Sequence, residues 1–425
     1  MRIRFEILLL ALVAFSLSVF SQGRIKVMSY NLLNFNNLTS YCTAENNSYQ
    51  TKAGYLATIV ANQQPDILCC CEVGKSHQSL AYTISYILGN SLNVNGVNRW
   101  ASASASGNEY LNNALFYDKK KLILVAQTKV NTDIREINIY KLKHISTGDT
   151  LKVAIAHLKA GDEYHCSECP AQRGTEIQDF MNYLVTQGNN DNFIVCGDFN
   201  VYKASEPAFQ NLVNPSYMPI AFYDPVNQMG DWTINSNFSE YHTQSTHSGS
   251  TDCFSGGGMD DRFDFILMSG SIINGTKGIT YHPNSYWAVG QDGNRFNGAI
   301  NSPQNNTLPS NVIDALYNMS DHLPVVAEFD FGDVGFASES TDAGFLSIVQ
   351  NPVSDVLTMR IRTEKPREVS VDIYSSLGVL LRHYQENVLA DEVLEYDVAD
   401  LPNGAYIVNV RSEGVSVSHR VIKAE

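Results

Sequence analysis

The chain has 425 residues, 44% of them hydrophobic and 10% aromatic, too many for one ordinary domain and enough for one large domain plus a small one. Its 44 acidic residues against 29 basic ones leave a formal charge of −15. That balance speaks against recognition of polyanions through a broad basic surface, but it is compatible with an enzyme that meets phosphate groups through a bound cation.

In chain order, the first segment reads MRIRFEILLLALVAFSLSVFSQGR. Arg2 and Arg4 precede an apolar run from Ile7 to Phe20, and Val19-Phe20-Ser21 has the form of a cleavage site, so residues 1–21 read as a secretory signal peptide. The run is short for a membrane span. No other stretch approaches the about 20 apolar residues a span needs, so no stable span is expected.

Residues 22–332 alternate apolar runs with helical stretches and loops. IKVMSYNLLNF, DILCCCEV, NALFYD, LILVAQTKV, LKVAIAHLKA, FIVCGDFN, FDFILMS and LPVVAEF read as strands. AGYLATIVANQQ and RGTEIQDFMNYLVTQGN carry apolar residues at helical spacing, the second with a stop at Gly188. Strands mixed with helices imply a layered α/β domain, and strands apolar on both faces imply that both sides of the sheets are covered. Residues 202–320 read as loop-rich, with STHSGSTDCFSGGGMDD and VGQDGNRFNGAINSPQNNTLPSN as long irregular segments. His242 and His247 read as solvated loop residues there.

The eight cysteines fall into two groups. Cys69, Cys70, Cys71 and Cys196 lie in strand-like runs and read as small buried side chains. Cys42, Cys166, Cys169 and Cys253 lie in polar loops, where they allow two disulfides in three connectivities. CSEC at 166–169 also has zinc-ligand spacing, although a second pair of that kind is missing.

The composition turns small and polar over 333–344, a linker. Beyond it, over 345–425, seven short segments with turn signals predict a small β-sandwich.

Several apolar strands end on, or start from, chemically capable side chains. VMSYN ends on Asn31, DILCCCE on Glu72, VAIAH on His157 and IVCGDFN on Asp198 and Asn200. RFDFILMS carries Asp264 near its start, and SDHLPVV places Asp321 and His322 just before a strand. In an extended strand positions i and i+2 share a face, so Asp198 and Asn200 are expected to point the same way. Asn, Asp and Glu oxygens are the donors a hard cation such as Mg²⁺ prefers, and histidines beside carboxylates suit proton transfer to a phosphate ester.

In this order, SYNLLNF, PDILCCCE, HLKAG, GDFN, RFDFIL and SDHLPV resemble the endonuclease/exonuclease/phosphatase superfamily typified by pancreatic-type deoxyribonuclease. The resemblance implies a DNase I-like four-layer α/β-sandwich over residues 22–332. It implies metal ligation by Asn31, Glu72 and Asp321, with Mg²⁺ expected and Mn²⁺ or Ca²⁺ compatible. Asp198 would orient or deprotonate the attacking water, and Asn200 would hold that water or a phosphoryl oxygen. His322 would contact the scissile phosphate with Asp264 fixing its ring, and His157 would contact the phosphate or assist the leaving group. Cys71 stands where many members carry glutamine. The segments NPVSDVLTM, VSVDIYSSLG, LPNGAYIVNV and HRVIKAE resemble the type A sorting domain of the type IX secretion system. That resemblance implies an immunoglobulin-like β-sandwich, handling by the type IX secretion machinery, and release or attachment at the cell surface.

The expected activity is that of a secreted, monomeric, divalent-metal-dependent phosphodiesterase with extracellular DNA or RNA as substrate. A sphingomyelinase-type phospholipid phosphodiesterase or a small-molecule phosphatase is the alternative. A lipid enzyme would need an exposed aromatic hairpin, for which SYWAVG at 285–290 is the candidate. A non-catalytic surface binding protein is a further reading, against which the intact polar set speaks.

Overall fold

Alternate residues of the long strands feed different cores, and this alternation sets the architecture. The computed structural model describes residues 23–107, 110–187, 191–216, 220–332, 346–348, 351–362, 365–375, 380–389, 391–412 and 415–424. The expected signal peptide at 1–21 and linker at 333–344 lie outside the described residues, as does Gly188.

The strands are β1 (Gly23–Phe35), β2 (Ile67–Val73), β3 (Trp100–Ser102), β4 (Asn112–Asp118), β5 (Leu122–Val130), β6 (Ile137–His144), β7 (Thr150–His157), β8 (Phe193–Asp198), β9 (Phe222–Tyr223), β10 (Asp264–Ser269), β11 (Ile279–Tyr281), β12 (Trp287–Ala288) and β13 (Val325–Phe331). The helices are α1 (Tyr49–Gln63), α2 (Leu80–Ile87), α3 (Cys169–Thr186), α4 (Pro207–Val213), α5 (Gly270–Ile273) and α6 (Ser310–Met319). One sheet runs β11-β13-β1-β2-β4-β3 with β12 beside β13, and the other runs β5-β6-β7-β8-β10-β9.

Ile25, Val27, Cys69 and Cys71 of the first sheet share a core with Val153, Ile155, Ile194 and Cys196 of the second. Their neighbours Met28, Tyr30, Leu68 and Cys70 face outward onto α1, α2 and α6. Ala154, Val195, Phe265 and Leu267 face outward onto α3 and α4. The result is the expected four layers, helices–sheet–sheet–helices, and the strands are apolar on both sides because both sides are covered. The four strand cysteines are free and buried, as expected.

Each sheet has one parallel pair at its heart, β1 with β2 and β7 with β8. Their antiparallel neighbours β13 and β10 start at the edge where those pairs end. Carboxyl ends of the parallel strands and amino ends of the antiparallel ones therefore meet along one rim.

The loop cysteines pair as Cys42–Cys253 and Cys166–Cys169, which settles the connectivity and removes the zinc reading of CSEC. The loop-rich stretch is more ordered than its composition predicts. It holds α4, α5 and α6 and the strands β9 to β12, and the two histidines read as solvated are buried: His242 is 0% exposed and His247 6%. His242 bonds the main-chain oxygens of Trp232 and Met259, and His247 stacks on Tyr317. SYWAVG forms no exposed hairpin. Trp287 and Ala288 pair with β13, Trp287 packs against the outer core of the first sheet, and Tyr286 packs against the inter-sheet core.

Among the described residues from 346 on, seven strands form two antiparallel sheets, of three and four strands. Leu357, Met359, Val371, Ile373, Val408 and Val410 are among the residues of their common core. This is the expected β-sandwich. Among the described residues no helix is long and apolar enough to cross a membrane.

Gly197 is where β7 and β8 approach most demandingly. Its φ is +131°, and a Cβ there would lie 2.0 Å from the carbonyl oxygen of Ala156. Gly197→Ala is expected to destabilise the domain by about 3 kcal/mol, measured by chemical denaturation, because strained backbone and a clash with main chain add together.

Candidate active site

The first sheet loses its regular ladder where its polar residues begin. Asn31 pairs with Cys71, but the next pairing is Phe35 with Val73, so β1 spends four residues where β2 spends two. Leu33 (φ +42°), Asn34 (φ +49°) and Glu72 (φ +57°) all take left-handed conformations there. Bulges of this kind re-aim side chains, and strained non-glycine backbone clusters at functional sites. Two main-chain N–H groups of the bulge then hold the polar side chains. Leu33 N donates to Asn31 Oδ1 at 2.9 Å, and Asn34 N donates to Glu72 Oε2 at 2.8 Å.

The second sheet contributes from the facing rim. His157 and Asp198 end β7 and β8 opposite each other, and Asp264 pairs with Asp198 at the start of β10. The strand stops at Asp198 rather than continuing extended. Asn200 is left-handed (φ +51°), its N–H bonds Asp198 Oδ1 at 3.0 Å, and its side-chain amide bonds the Leu158 carbonyl at 3.3 Å. The premise of an extended strand through Asn200 fails, because a tight Asx-type turn replaces the alternation.

The two rims meet through the Asn31 amide. Its Nδ2 donates to Glu72 Oε1 at 3.0 Å and to Asp198 Oδ2 at 2.9 Å, and lies 3.5 Å from His322 Nε2. His157 Nε2 lies 3.6 Å from Asp198 Oδ2 and 3.9 Å from Glu72 Oε1. His322 Nδ1 bonds Asp264 Oδ2 at 2.7 Å, and its Nε2 lies 3.7 Å from Asp198. Asn31, Glu72, His157, Asp198, Asp264 and His322 thus form one connected cluster.

Asp321 sits beside it. Its Oδ2 accepts from Ser255 N at 3.1 Å, and its Oδ1 is buried with no hydrogen-bond partner. Ligand atoms of Glu72, His157 and Asp198 lie within 4.8 Å of one another. That spacing and the carboxylate-rich set fit one divalent cation. Asp321 is outside this trio, and Asn31 presents its nitrogen to the carboxylates while its oxygen is held by Leu33.

Gln244 was not visible as a site residue in the sequence. Its Nε2 lies 2.7 Å from His322 Nε2, and its main chain bridges both Asp261 and His322. It sits in an Asn- and Ser-rich loop with no periodicity, so no sequence signal marked it. Arg135 was also missed: it anchors the His157 strand end, with Nε donating to the His157 carbonyl at 2.8 Å and Nη2 to that of Leu158 at 2.5 Å.

Burial sets distinct protonation states. It pushes the Asp198 carboxyl up to about 7 against the pull of His322. It drives His157 well below the ordinary histidine value, with Arg135 and His322 acting in the same direction. At His322 burial opposes the charge, but Asp264 and Asp198 outweigh it and hold the pKa well above the usual value.

Residues 28–322 match the family model described as Endonuclease/Exonuclease/phosphatase family. Residues 348–424 match that of the secretion system C-terminal sorting domain. No curated protein matches the chain. Among solved structures, a Bacteroides thetaiotaomicron endonuclease/exonuclease/phosphatase family protein is 13% identical, covering 73% of this chain and 99% of its own, at a TM-score of 0.47. The human Nocturnin catalytic domain is 17% identical over 73% and 98%, at 0.44. Humanized D. rerio TDP2 with 14 mutations is 12% identical over 72% and 98%, at 0.45.

The proton on His322 is more tightly held in the folded state than in the unfolded one. Its contribution to stability is therefore complete below about pH 6.5 and is lost as pH rises through the folded-state value. Asp264→Asn is expected to move the His322 titration midpoint down by about one pH unit or more, followed by imidazole NMR.

Proposed function

The chain belongs to the endonuclease/exonuclease/phosphatase family of phosphoric ester hydrolases, and from that premise we propose that it is an exported, divalent-metal-dependent endonuclease acting on extracellular DNA or RNA. The observation that carries the reading is the cluster in which the Asn31 amide joins Glu72 of one sheet to Asp198 of the other, with both histidines within 4 Å of Asp198.

Glu72 would hold a Mg²⁺ ion, with Mn²⁺ or Ca²⁺ as substitutes, at the rim where the ligand atoms of Glu72, His157 and Asp198 lie within 4.8 Å of one another. Asn31 would join through its Oδ1, which the Leu33 N–H already holds, and Asp321 would add its unpartnered oxygen. When bound, the cation neutralises charge that develops on the phosphoryl oxygens.

The side chains divide the remaining work. Asp198, with a proton affinity near neutrality, orients the attacking water and takes its proton. Asn200, turned beside it, holds the water or a phosphoryl oxygen. His322 keeps its proton and presents it to a phosphoryl oxygen, while Asp264 fixes the ring and its tautomer. His157 stays neutral and faces the leaving group or the phosphate. Pairs of groups whose environments push their pKa values apart make such acid and base assignments natural.

The packed state of Tyr286 and Trp287 disfavours the lipid enzyme, because it leaves SYWAVG without an exposed aromatic hairpin. Two disulfides accord with an oxidising compartment. The sorting domain implies secretion or surface attachment through the type IX machinery, with the segment 1–21 as the export signal.

Mature protein with Mg²⁺ is expected to cleave supercoiled plasmid or total RNA, and to leave sphingomyelin vesicles and a simple phosphomonoester intact. Asp198→Ala and His322→Ala are each expected to lower turnover at least about 10³-fold while keeping the fold, and EDTA to inactivate reversibly with Mg²⁺. Turnover confined to vesicles or monoester would move the function to lipid or small-molecule hydrolysis. Wild-type rates in Asp198→Ala would sink the assignment.

A further inference from the structure

Lys52 of α1 is 2% exposed, on a buried helix face whose other residues are Ala53, Leu56, Ile59, Val60 and Gln63. An ammonium there is costly unless all its protons are used. They are: Nζ donates to the main-chain oxygens of Leu32 at 2.7 Å and Leu33 at 2.5 Å, and to Asn47 Oδ1 at 2.8 Å.

Those two oxygens belong to particular peptide planes. The carbonyl of Leu32 shares its plane with the N–H of Leu33, and the carbonyl of Leu33 shares its plane with the N–H of Asn34. In a trans peptide the two groups point in opposite directions. The same two N–H groups hold Asn31 Oδ1 and Glu72 Oε2. Each plane is thus gripped at one end by Lys52 and grips a site side chain with the other. Leu33 and Asn34 both take left-handed φ values in this turn. Asn47 supports the arrangement, its Nδ2 donating to the carbonyls of Leu33 at 3.2 Å and Asn34 at 3.1 Å.

We propose that Lys52 is a positioning residue for cation binding: by fixing two peptide planes of the β1 bulge it sets the orientation of Asn31 and Glu72. The inference rests on the proposed metal-dependent reading of the site. It gives this buried charge a task that packing does not supply, since a hydrocarbon side chain would fill the same space on the same face.

The test uses the full chain and titrates Mn²⁺ calorimetrically into wild type, Lys52→Met and Asn47→Ala, with cooperative thermal unfolding as the control for folding. Lys52→Met is expected to bind Mn²⁺ about tenfold or more weakly, and Asn47→Ala several-fold more weakly, the range typical for partners that orient metal ligands. The Mg²⁺ concentration giving half-maximal hydrolysis should rise by the same factor, with kcat largely recovered at saturating Mg²⁺. A support for packing alone would lower thermal stability and leave the Mn²⁺ affinity unchanged. Folded Lys52→Met with wild-type Mn²⁺ affinity overturns the inference. Should Lys52→Met fail to fold, wild-type affinity in Asn47→Ala overturns it instead. Wild type that itself binds no Mn²⁺ overturns the proposed function, and this inference with it.

Discussion

Two carboxylates from different sheets share one amide, and the geometry of the site depends on that sharing. Glu72 belongs to the first sheet, Asp198 to the second, and Asn31 Nδ2 lies 3.0 and 2.9 Å from their oxygens. Like charges brought this close inside a protein repel strongly, and the interior does little to screen them. The structure meets that cost with main-chain N–H groups from two irregular turns, at Asn34 and Asn200, and by raising the proton affinity of Asp198. The contact also couples the site to the packing of the sheets. Cys71 and Cys196, next to Glu72 and near Asp198, both lie in the inter-sheet core.

Topology explains why so many of the candidate site side chains sit at strand ends. Parallel pairs deliver their carboxyl ends to one rim, and antiparallel neighbours deliver their amino ends there, so residues distant in sequence converge without long loops. Asp264 and His322 come from the starts of elements, and Asn31, Glu72, His157 and Asp198 from their ends. The glycine before Asp198 belongs to the same design. With β7 this close, only a residue without Cβ lets β8 carry its carboxylate to the rim in register with His157.

Much of this was legible in the sequence for a physical reason. A run such as DILCCCE is apolar on both faces and then abruptly polar, which marks both a strand covered on two sides and a place where its end does something. The disulfide pairing and the order of the region 202–320 were not legible. That region is built from side-chain to main-chain hydrogen bonds instead of hydrophobic periodicity. Asn305 bonds the carbonyls of Gly290 and Ile300, and Gln291 bonds that of His242. Asn, Gln and Ser reading as solvated loop in a sequence can equally be the frame of a buried one. Gln244 and the buried His242 were hidden by this ambiguity. Lys52 was hidden differently: within an amphipathic helix a lysine reads as surface, and its three acceptors are set by a bulge that no residue pattern announces.

The charges around the site bear on how an acidic protein handles an anionic substrate. Glu72, Asp198, Asp264 and Asp321 bring four carboxylates to one rim, against the imidazolium of His322 and the ammonium of Lys52. Asp264 is neutralised locally by His322, while burial lowers the Lys52 ammonium to about 7 against the opposing fields of Asp321 and Glu72. What remains is an excess of negative charge centred on Glu72 and Asp198, where a phosphodiester would otherwise be repelled. On the proposed reading, a divalent cation held beside that pair would turn the excess into attraction, at the point where the transition state gathers charge. The same excess makes the orientation of the oxygens decisive, because a cation with hard coordination preferences discriminates among donor positions by a few tenths of an ångström. Rigid strand ends, an Asx turn and a pair of clamped peptide planes supply that precision, and no basic surface is required elsewhere on the chain.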